Sequence, residues 1–226
     1  MRFAVLVVAK APVAGLAKTR LCPPATPDQA AEIAATALLD TLDAALSTPD
    51  SQTVVALTGD LGAAQRKYEL AGWLARTTVI DQRGDRFGER LANAHADTMA
   101  LLPDTPVVQI GMDTPQVTPA LLTGAADALA EAPAVLGHAE DGGWWALGLR
   151  CPADARVLAR IPMSTPDTGR HTEWALRTAL GEVRRLPVLS DVDTMTDAVA
   201  VARLTGGRFA EAVAAVAGVR AGVVAR

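Results

Sequence analysis

The sequence contains few lysines, cysteines and aromatic residues. Lysine occurs three times in 226 residues, cysteine occurs twice, and aromatic residues make up 4% of the chain. The two cysteines, Cys22 and Cys151, lie far apart and show neither a CxxC motif nor the spacing of metal ligands. We therefore expect reduced thiols in a cytoplasmic protein, and no metal ion held by cysteine.

Runs of positive charge and long apolar segments are missing as well. The net charge is -4, and without a basic cluster the chain is not expected to bind nucleic acid, which requires neutralised phosphates. No apolar run approaches the ~20 residues of a membrane helix, so no membrane partner is expected. The opening segment imitates a signal peptide, but Lys10 interrupts the would-be cleavage site, which favours a buried first strand.

Short apolar runs alternate with helical patterns along the chain. Half of the residues are hydrophobic and 20% are charged, which predicts a single folded domain over residues 1–226. The runs that we interpret as strands are FAVLVVA, TVVAL, TTVI, PVVQIG, AVLG, WWALGL and LPVL. Strands that alternate with helices predict an α/β protein whose mostly parallel sheet is covered on both faces.

Three of the predicted helices follow a threonine cap. Thr26 precedes Pro27 and is followed by Gln29 at the third helical position, which is a capping box. Thr118 and Thr194 precede two later helices in the same way. The remaining helical patterns cover a short piece around 61–70 and the segments 86–102, 171–180 and roughly 208–219.

Two of the three lysines lie in the loop that follows the first strand. Ligands of parallel sheets bind beyond the carboxyl ends of the strands, and Lys10, Lys18 and Arg20 stand at such an end. Lysine offers phosphate a mobile point charge, and arginine offers it a planar fork. The loop lacks both the G-x-G-x-x-G pattern and the glycines of a P-loop. A phosphate-binding loop and a merely solvated basic loop both fit this pattern.

Carboxylates follow two further strands. Asp113 comes just after the strand PVVQIG, and Asp191 and Asp193 follow LPVL with a spacing that points both side chains the same way in an extended segment. Mg²⁺ prefers a few carboxylates together with substrate phosphate oxygens. Alternatively, Asp113 is a turn residue and Asp193 belongs to the helix start at Thr194. Acids opposite a basic loop favour the metal interpretation.

A glycine-rich turn, Asp141-Gly142-Gly143, separates AVLG from WWALGL. It is first of all a hairpin signal, and its glycines would also let a substrate approach the backbone closely. Trp144 and Trp145 point to opposite faces of a strand, so one is expected in the core and the other beside a pocket. The three histidines lack metal-ligand spacing and are treated as ordinary residues.

Six segments along the chain resemble those of one bacterial family. They are VAKAPVAGLAKTRLCP, GDRFGER, GMDTP, GHAEDGGWWALGL, MSTPDTGRHT and DVDTMTDA. In this order they resemble the glycosyltransferase-A-like transferases known as radical-SAM/selenodomain-associated transferases, over nearly the whole chain. The Lys-Thr-Arg-Leu loop and the late acidic pair are also similar to those of guanylyltransferases that act on phospholactate or phosphoenolpyruvate.

The resemblance implies a three-layer α/β/α Rossmann-like sandwich, the nucleotide-diphospho-sugar transferase or GT-A fold. It also implies roles for matched residues, and we expect Lys18, Asp113 and Asp141 to take part in catalysis. The residues implied to bind nucleotide and its phosphates are Lys10, Lys18, Arg20, Gly84, Gly88 and Arg90. Those implied to bind Mg²⁺, or Mn²⁺, are Asp113, Asp191 and Asp193. Those implied to face the second substrate are Asp141, Gly142, Gly143, Ser164 and Thr165.

The expected function is that of a magnesium-dependent transferase with a nucleotide donor and a small-molecule acceptor. In one version the donor is a nucleotide sugar and the acceptor attacks its anomeric carbon. In the other, a phosphorylated small acid attacks the α-phosphorus of a nucleoside triphosphate and pyrophosphate leaves. A non-catalytic nucleotide-binding module is a third interpretation. Of these predictions, the identity of the acceptor is the one that the resemblance supports least. Departures from the family pattern, such as His138 and Met163, surround the implied acceptor pocket.

Overall fold

A computed structural model describes residues 1–218 and contains a seven-stranded sheet. The strands are β1 (Phe3–Lys10), β2 (Ser51–Thr58), β3 (Thr78–Asp81), β4 (Val107–Gly111), β5 (Ala134–His138), β6 (Trp144–Leu149) and β7 (Val183–Arg185). Their order is β3-β2-β1-β4-β6-β5-β7. Strand β6 runs antiparallel to β4 and β5, whereas the other neighbouring pairs are parallel. The prediction of a mostly parallel sheet is confirmed.

Helices cover both faces of this sheet. They are α1 (Pro27–Leu46), α2 (Lys67–Leu74), α3 (Phe87–Leu101), α4 (Pro119–Glu131), α5 (Thr168–Leu180), α6 (Met195–Ala202) and α7 (Gly207–Ala217). Strand β1 is buried on both sides: Val5 and Val7 pack with α1, α2 and α4, while Leu6 and Ala4 pack with α3 and α5. Helices α6 and α7 pack on α1 through a separate cluster around Phe209. The three-layer α/β/α arrangement follows from these two buried faces.

The predicted threonine caps are present. The Thr26 hydroxyl accepts from the Gln29 amide at 3.2 Å, and the Gln29 side chain accepts from the Thr26 amide at 2.9 Å. Thr118 and Thr194 likewise cap α4 and α6. These local signals place the helix starts correctly because each cap satisfies amides that the first turn leaves unbonded.

The segment LPVL, predicted as a strand, is not one. The strand lies earlier, at Val183–Arg185, and only Leu189 of LPVL forms an isolated bridge, with Ala139. The amides of Leu186 and Leu189 still donate to the carbonyls of Leu136 and His138 on β5, at 2.9 and 3.3 Å, so the pairing continues irregularly with one extra residue on the LPVL side. The carbonyl of Pro187 accepts from the indole of Trp145 at 2.9 Å.

Other boundaries shift by less. The helical piece predicted around 61–70 divides into a short 3-10 turn, Leu61–Ala63, and α2. Two further 3-10 segments, Thr19–Leu21 and Pro152–Arg160, had no sequence signal. The last predicted helix ends at Ala217, and its predicted end at Val219 lies outside the described residues. The prediction of one domain over residues 1–226 also extends beyond them and stays a prediction.

Within residues 1–218, no helix combines the length and the apolar character needed to cross a membrane.

Candidate functional site

An open cleft of about 900 Å³ lies at the carboxyl ends of β1, β2 and β4. Its walls are the loop after β1, the loop after β4, the β5–β6 turn and the segment before α6. The predicted site residues that line it are Lys10, Lys18, Arg20, Arg90, Asp113, Asp141, Gly143, Ser164, Thr165, Asp191 and Asp193. The topology therefore brings together residues from six parts of the chain, including α3 and the segment before α5, at the edge where such sheets bind ligands.

The loop after β1 directs its cations toward carboxylates. Lys18 Nζ donates to Asp113 Oδ2 at 2.9 Å and to Asp193 Oδ1 at 3.0 Å, and its side chain is only 16% exposed. Arg20 Nη1 donates to Asp193 Oδ2 at 3.0 Å but remains 74% exposed. Lys10 Nζ instead donates to the carbonyl of Leu16 at 2.9 Å. Lys18 is thus the inner cation of the loop, and Lys10 and Arg20 lie at its rim.

Asp113, Asp191 and Asp193 form an acidic triad. One carboxylate oxygen from each residue lies within 4.8 Å of those from the other two. The Val192 amide donates to the Asp113 carbonyl at 3.0 Å, which ties the segment before α6 to the loop after β4. Gly111 ends β4 just below: a Cβ there would come within 2.7 Å of Asp113 Oδ1. The absence of a side chain at Gly111 leaves room for the Asp113 carboxylate.

The carboxylates of the triad differ in their charged neighbours: Asp193 is close to cations, whereas Asp191 is close to other carboxylates. Burial would lower the pKa of the Lys18 ammonium, but the charges and hydrogen bonds of Asp113 and Asp193 hold it above its usual value. Burial opposes ionisation of Asp193 too, yet Lys18 and Arg20 lower the pKa of that carboxyl. At Asp191, burial raises the pKa to about 6, and the charges of Asp141 and Asp113 act in the same direction. Negative charge therefore remains in excess around Asp191.

The turn between β5 and β6 packs tightly against the segment before α5. Asp141 Oδ1 accepts from the Gly143 amide at 2.7 Å, and the Gly169 amide donates to the Gly142 carbonyl at 2.8 Å. A Cβ at Gly142 would collide with the Pro166 carbonyl. Ser164 has a left-handed backbone with φ of 59°, which suggests that the segment is held in its shape by the packing around it.

Within the described part of the chain, three predicted glycines lie outside the cleft lining. Gly142 serves the packing just described. Gly84 occupies a turn with φ of 126°, where a side chain would be strained. Gly88 lies at the start of α3, where a Cβ would collide with the Leu158 carbonyl. Each has a packing or backbone reason to be glycine, so a direct contact with nucleotide is not needed to explain them.

The sequence interpretation missed two cleft residues, Gln82 and Thr114. Gln82 Nε2 donates to the carbonyls of Ala9 and Ala56 at 2.8 and 2.9 Å, which clamps the ends of β1 and β2. The Thr114 hydroxyl is buried, and within residues 1–218 it has no hydrogen-bond partner. The only available signal was position, since Gln82 directly follows a strand and Thr114 directly follows Asp113.

Two of the three histidines, His95 and His138, make side-chain contacts within the fold. His95 is fully buried on α3, and its Nε2 donates to Gln109 Oε1 at 2.9 Å. His138 Nε2 lies 3.0 Å from Glu173 Oε2 on α5. Burial would raise the pKa of the Glu173 carboxyl, but hydrogen bonds, chiefly from Arg185 and Arg177, lower it to about 2.

The two tryptophans of β6 divide as predicted. Trp145 is 2% exposed and belongs to the core, while Trp144 is partly exposed and lines the cleft, to which the Trp145 ring also contributes.

Solved structures share this architecture. A proposed nucleotide-diphospho-sugar transferase from Desulfovibrio desulfuricans G20 is 27% identical, with a TM-score of 0.82 over 97% of this chain and 99% of that one. Rv0371c from Mycobacterium tuberculosis is 26% identical, with a TM-score of 0.57 over 87% and 96% of the two chains. A cytidylyltransferase from Leptospira borgpetersenii is 12% identical, with a TM-score of 0.58 over all of both chains. The fold is that of nucleotide-diphospho-sugar transferases.

Sequence comparison adds one family. No protein with curated function matches the sequence. The model of a family described as "uncharacterized protein conserved in bacteria (DUF2064)" matches residues 41–165. The match covers more than half of this chain, so the chain belongs to the DUF2064 family.

Proposed function

We propose that this protein is a metal-dependent transferase that uses a nucleotide donor and a small-molecule acceptor. The observation that carries the proposal is the contact of Lys18 with Asp113 and Asp193 inside the cleft. It joins a cation suited to phosphate to carboxylates suited to the metal ion that accompanies phosphate. The fold shared with the Desulfovibrio protein supports the same class of enzyme.

The acidic triad fits a divalent metal ion. Asp113, Asp191 and Asp193 would hold it, since they offer hard oxygen ligands within 4.8 Å of one another. Thr114, the residue after Asp113, also lines the cleft. A structure of Rv0371c has been solved in complex with manganese, which agrees with Mg²⁺ or Mn²⁺ here. When bound, the ion neutralises charge on the diphosphate that leaves.

The chain's own residues supply the remaining functions. Lys18, Lys10 and Arg20 hold the donor phosphates by their side chains, because the loop lacks the glycines that would expose backbone amides. Arg90 lies on the cleft wall and contributes further positive charge toward the nucleotide. Asp141, Ser164 and Thr165 face the acceptor. Catalysis then depends on positioning and on charge stabilisation rather than on a covalent step.

Glycosyl transfer is the version that the cleft favours. Asp141 places a carboxylate on the acceptor side of the cleft, which disfavours a phosphorylated acid relative to an uncharged hydroxyl compound. The 27% identical Desulfovibrio protein is described as a nucleotide-sugar enzyme.

Nucleotidyl transfer is the second candidate. The cationic loop after β1 suits the β- and γ-phosphates of a triphosphate, and CMP-2-keto-3-deoxy-manno-octonic acid synthetase, whose structure contains CTP, shares the fold at 12% identity. The kinship with guanylyltransferases and with radical-SAM-associated transferases stays a prediction of the sequence.

Thermal unfolding with Mg²⁺ and a panel of ligands tests the proposal. Stabilisation by one nucleotide sugar supports glycosyl transfer, and stabilisation by a triphosphate alone supports nucleotidyl transfer. Asp113→Asn should lose the stabilisation, whereas Asp127→Asn, an exposed change on α4, should keep it. Binding that never leads to turnover with any acceptor supports the non-catalytic module. If no nucleotide raises the melting temperature, the site assignment is wrong.

A further inference from the structure

Lys18 contacts two of the three carboxylates that would bind a metal ion. Its ammonium is within 3.0 Å of one oxygen from Asp113 and one from Asp193. Both residues belong to the triad that would hold the metal ion. The contact is also inner rather than peripheral, since the Lys18 side chain is only 16% exposed. The lysine thus offsets part of the negative charge of the triad from within the cleft.

A free metal ion would compete with this lysine. Mg²⁺ binds oxygens at about 2.0–2.1 Å, and an ammonium bonded to the same two carboxylates would repel it at close range. The backbone contributes to the placement, because Lys18 has a left-handed conformation with φ of 47° and begins the 3-10 turn Thr19–Leu21. Arg20 adds a second positive charge on Asp193. These groups disfavour entry of the metal ion by itself.

A diphosphate would remove the conflict. Its oxygens accept hydrogen bonds from an ammonium as carboxylates do, and the flexible lysine stem allows the charge to move between the two. We infer that Lys18 is the resident counterion of the triad and moves to phosphate when ligand arrives, so that the site takes a metal–diphosphate complex in preference to the free metal ion. This inference rests on the metal site of the proposed function.

Binding of Mn²⁺ alone tests the first half of the inference. The free Mn²⁺ signal in electron paramagnetic resonance would be titrated with the wild-type protein, Lys18→Met and Lys67→Met. Removing the competing ammonium should tighten Mn²⁺ binding about tenfold or more in Lys18→Met. Lys67 is exposed and distant from the cleft lining, so Lys67→Met should bind like the wild type. Lys18→Gln provides a second variant if Lys18→Met does not fold.

Pyrophosphate tests the second half. In the wild type, Mn²⁺ with pyrophosphate should raise the melting temperature more than the sum of the two separate shifts. In the Lys18 variant, Mn²⁺ alone should give most of the rise, and pyrophosphate should add little.

The outcomes separate this inference from the proposed function. Suppose that the wild type binds Mn²⁺ and that both Lys18 variants bind it no more tightly than the wild type does. That result overturns the counterion role of Lys18 and leaves the metal site supported. Additive shifts in the wild type overturn the coupling. Failure of the wild type and of both Lys18 variants to bind Mn²⁺, with or without pyrophosphate, refutes the metal site and this inference with it.

Discussion

The buried pair of His95 and Gln109 should make the stability of the protein fall in mild acid. His95 is fully buried, and burial lowers the pKa of its imidazole from 6.5 to about 4, although the hydrogen bond to Gln109 acts in the opposite direction. The unfolded chain therefore takes up a proton near pH 6.5 that the folded chain refuses until about pH 4. Stability is full above the unfolded pKa and is lost as the pH falls between these values.

The expected loss follows from the two pKa values. Between pH 7 and pH 5, the difference in proton uptake by this one histidine costs about 2 kcal/mol. The whole interval of about 2.5 pKa units corresponds to about 3.4 kcal/mol, reached below pH 4. Since domains of this kind are stable by about 5–15 kcal/mol, the loss is large enough to measure by urea unfolding.

The assay compares the pH dependence of one variant with that of the wild type. His95→Gln keeps a donor for Gln109 but does not titrate, so its free energy of unfolding should fall about 2 kcal/mol less than that of the wild type from pH 7 to pH 5. His95→Asn serves if the glutamine variant does not fold. Equal pH dependence in wild type and His95→Gln would refute the reasoning.

Four further substitutions have expected outcomes. Asp113→Ala and Lys18→Ala should each lower turnover by about 100-fold or more with an unchanged circular-dichroism spectrum; unfolding would show that a structural residue had been mistaken for a functional one. Gly88→Ala should lower the free energy of unfolding by about 1–3 kcal/mol, because its Cβ would collide with the Leu158 carbonyl, whereas Gly72→Ala has nothing within 4 Å and should not destabilise. Gln82→Leu should cost about 1–3 kcal/mol in urea unfolding by leaving two strand-end carbonyls unbonded; no loss would show that water replaces the amide.

Local signals carried much of the fold prediction. Thr26, Thr118 and Thr194 mark helix starts correctly because a cap acts within three residues. Continuous apolar runs mark the buried strands because both faces of β1 are covered. LPVL was wrongly predicted as a strand because its residues are apolar, whereas in the structure its pairing with β5 is irregular and is reduced to an isolated bridge at Leu189.

The candidate site was predictable as a set of strand ends rather than as a geometry. One rule, that ligands bind beyond the carboxyl ends of parallel strands, selected Lys18 and Asp113. The same rule selected Asp191 and Asp193, although the segment LPVL before them is not a strand. It could not reveal Gln82, whose role depends on the carbonyls of Ala9 and Ala56, 73 and 26 residues away. Nor could it show that Gly88 is required by the packing of α3 on the segment Pro152–Arg160.

By itself, then, the sequence determined the class of fold, the helix starts and the types of group that stand at the strand ends, because these depend on near neighbours and on burial patterns. Only the tertiary structure decided that Lys18 contacts Asp113 and Asp193, which are 95 and 175 residues away. The physical reason is that charge pairing acts over a few ångströms in space. Sequence order does not specify such distances until the sheet has brought its strand ends together.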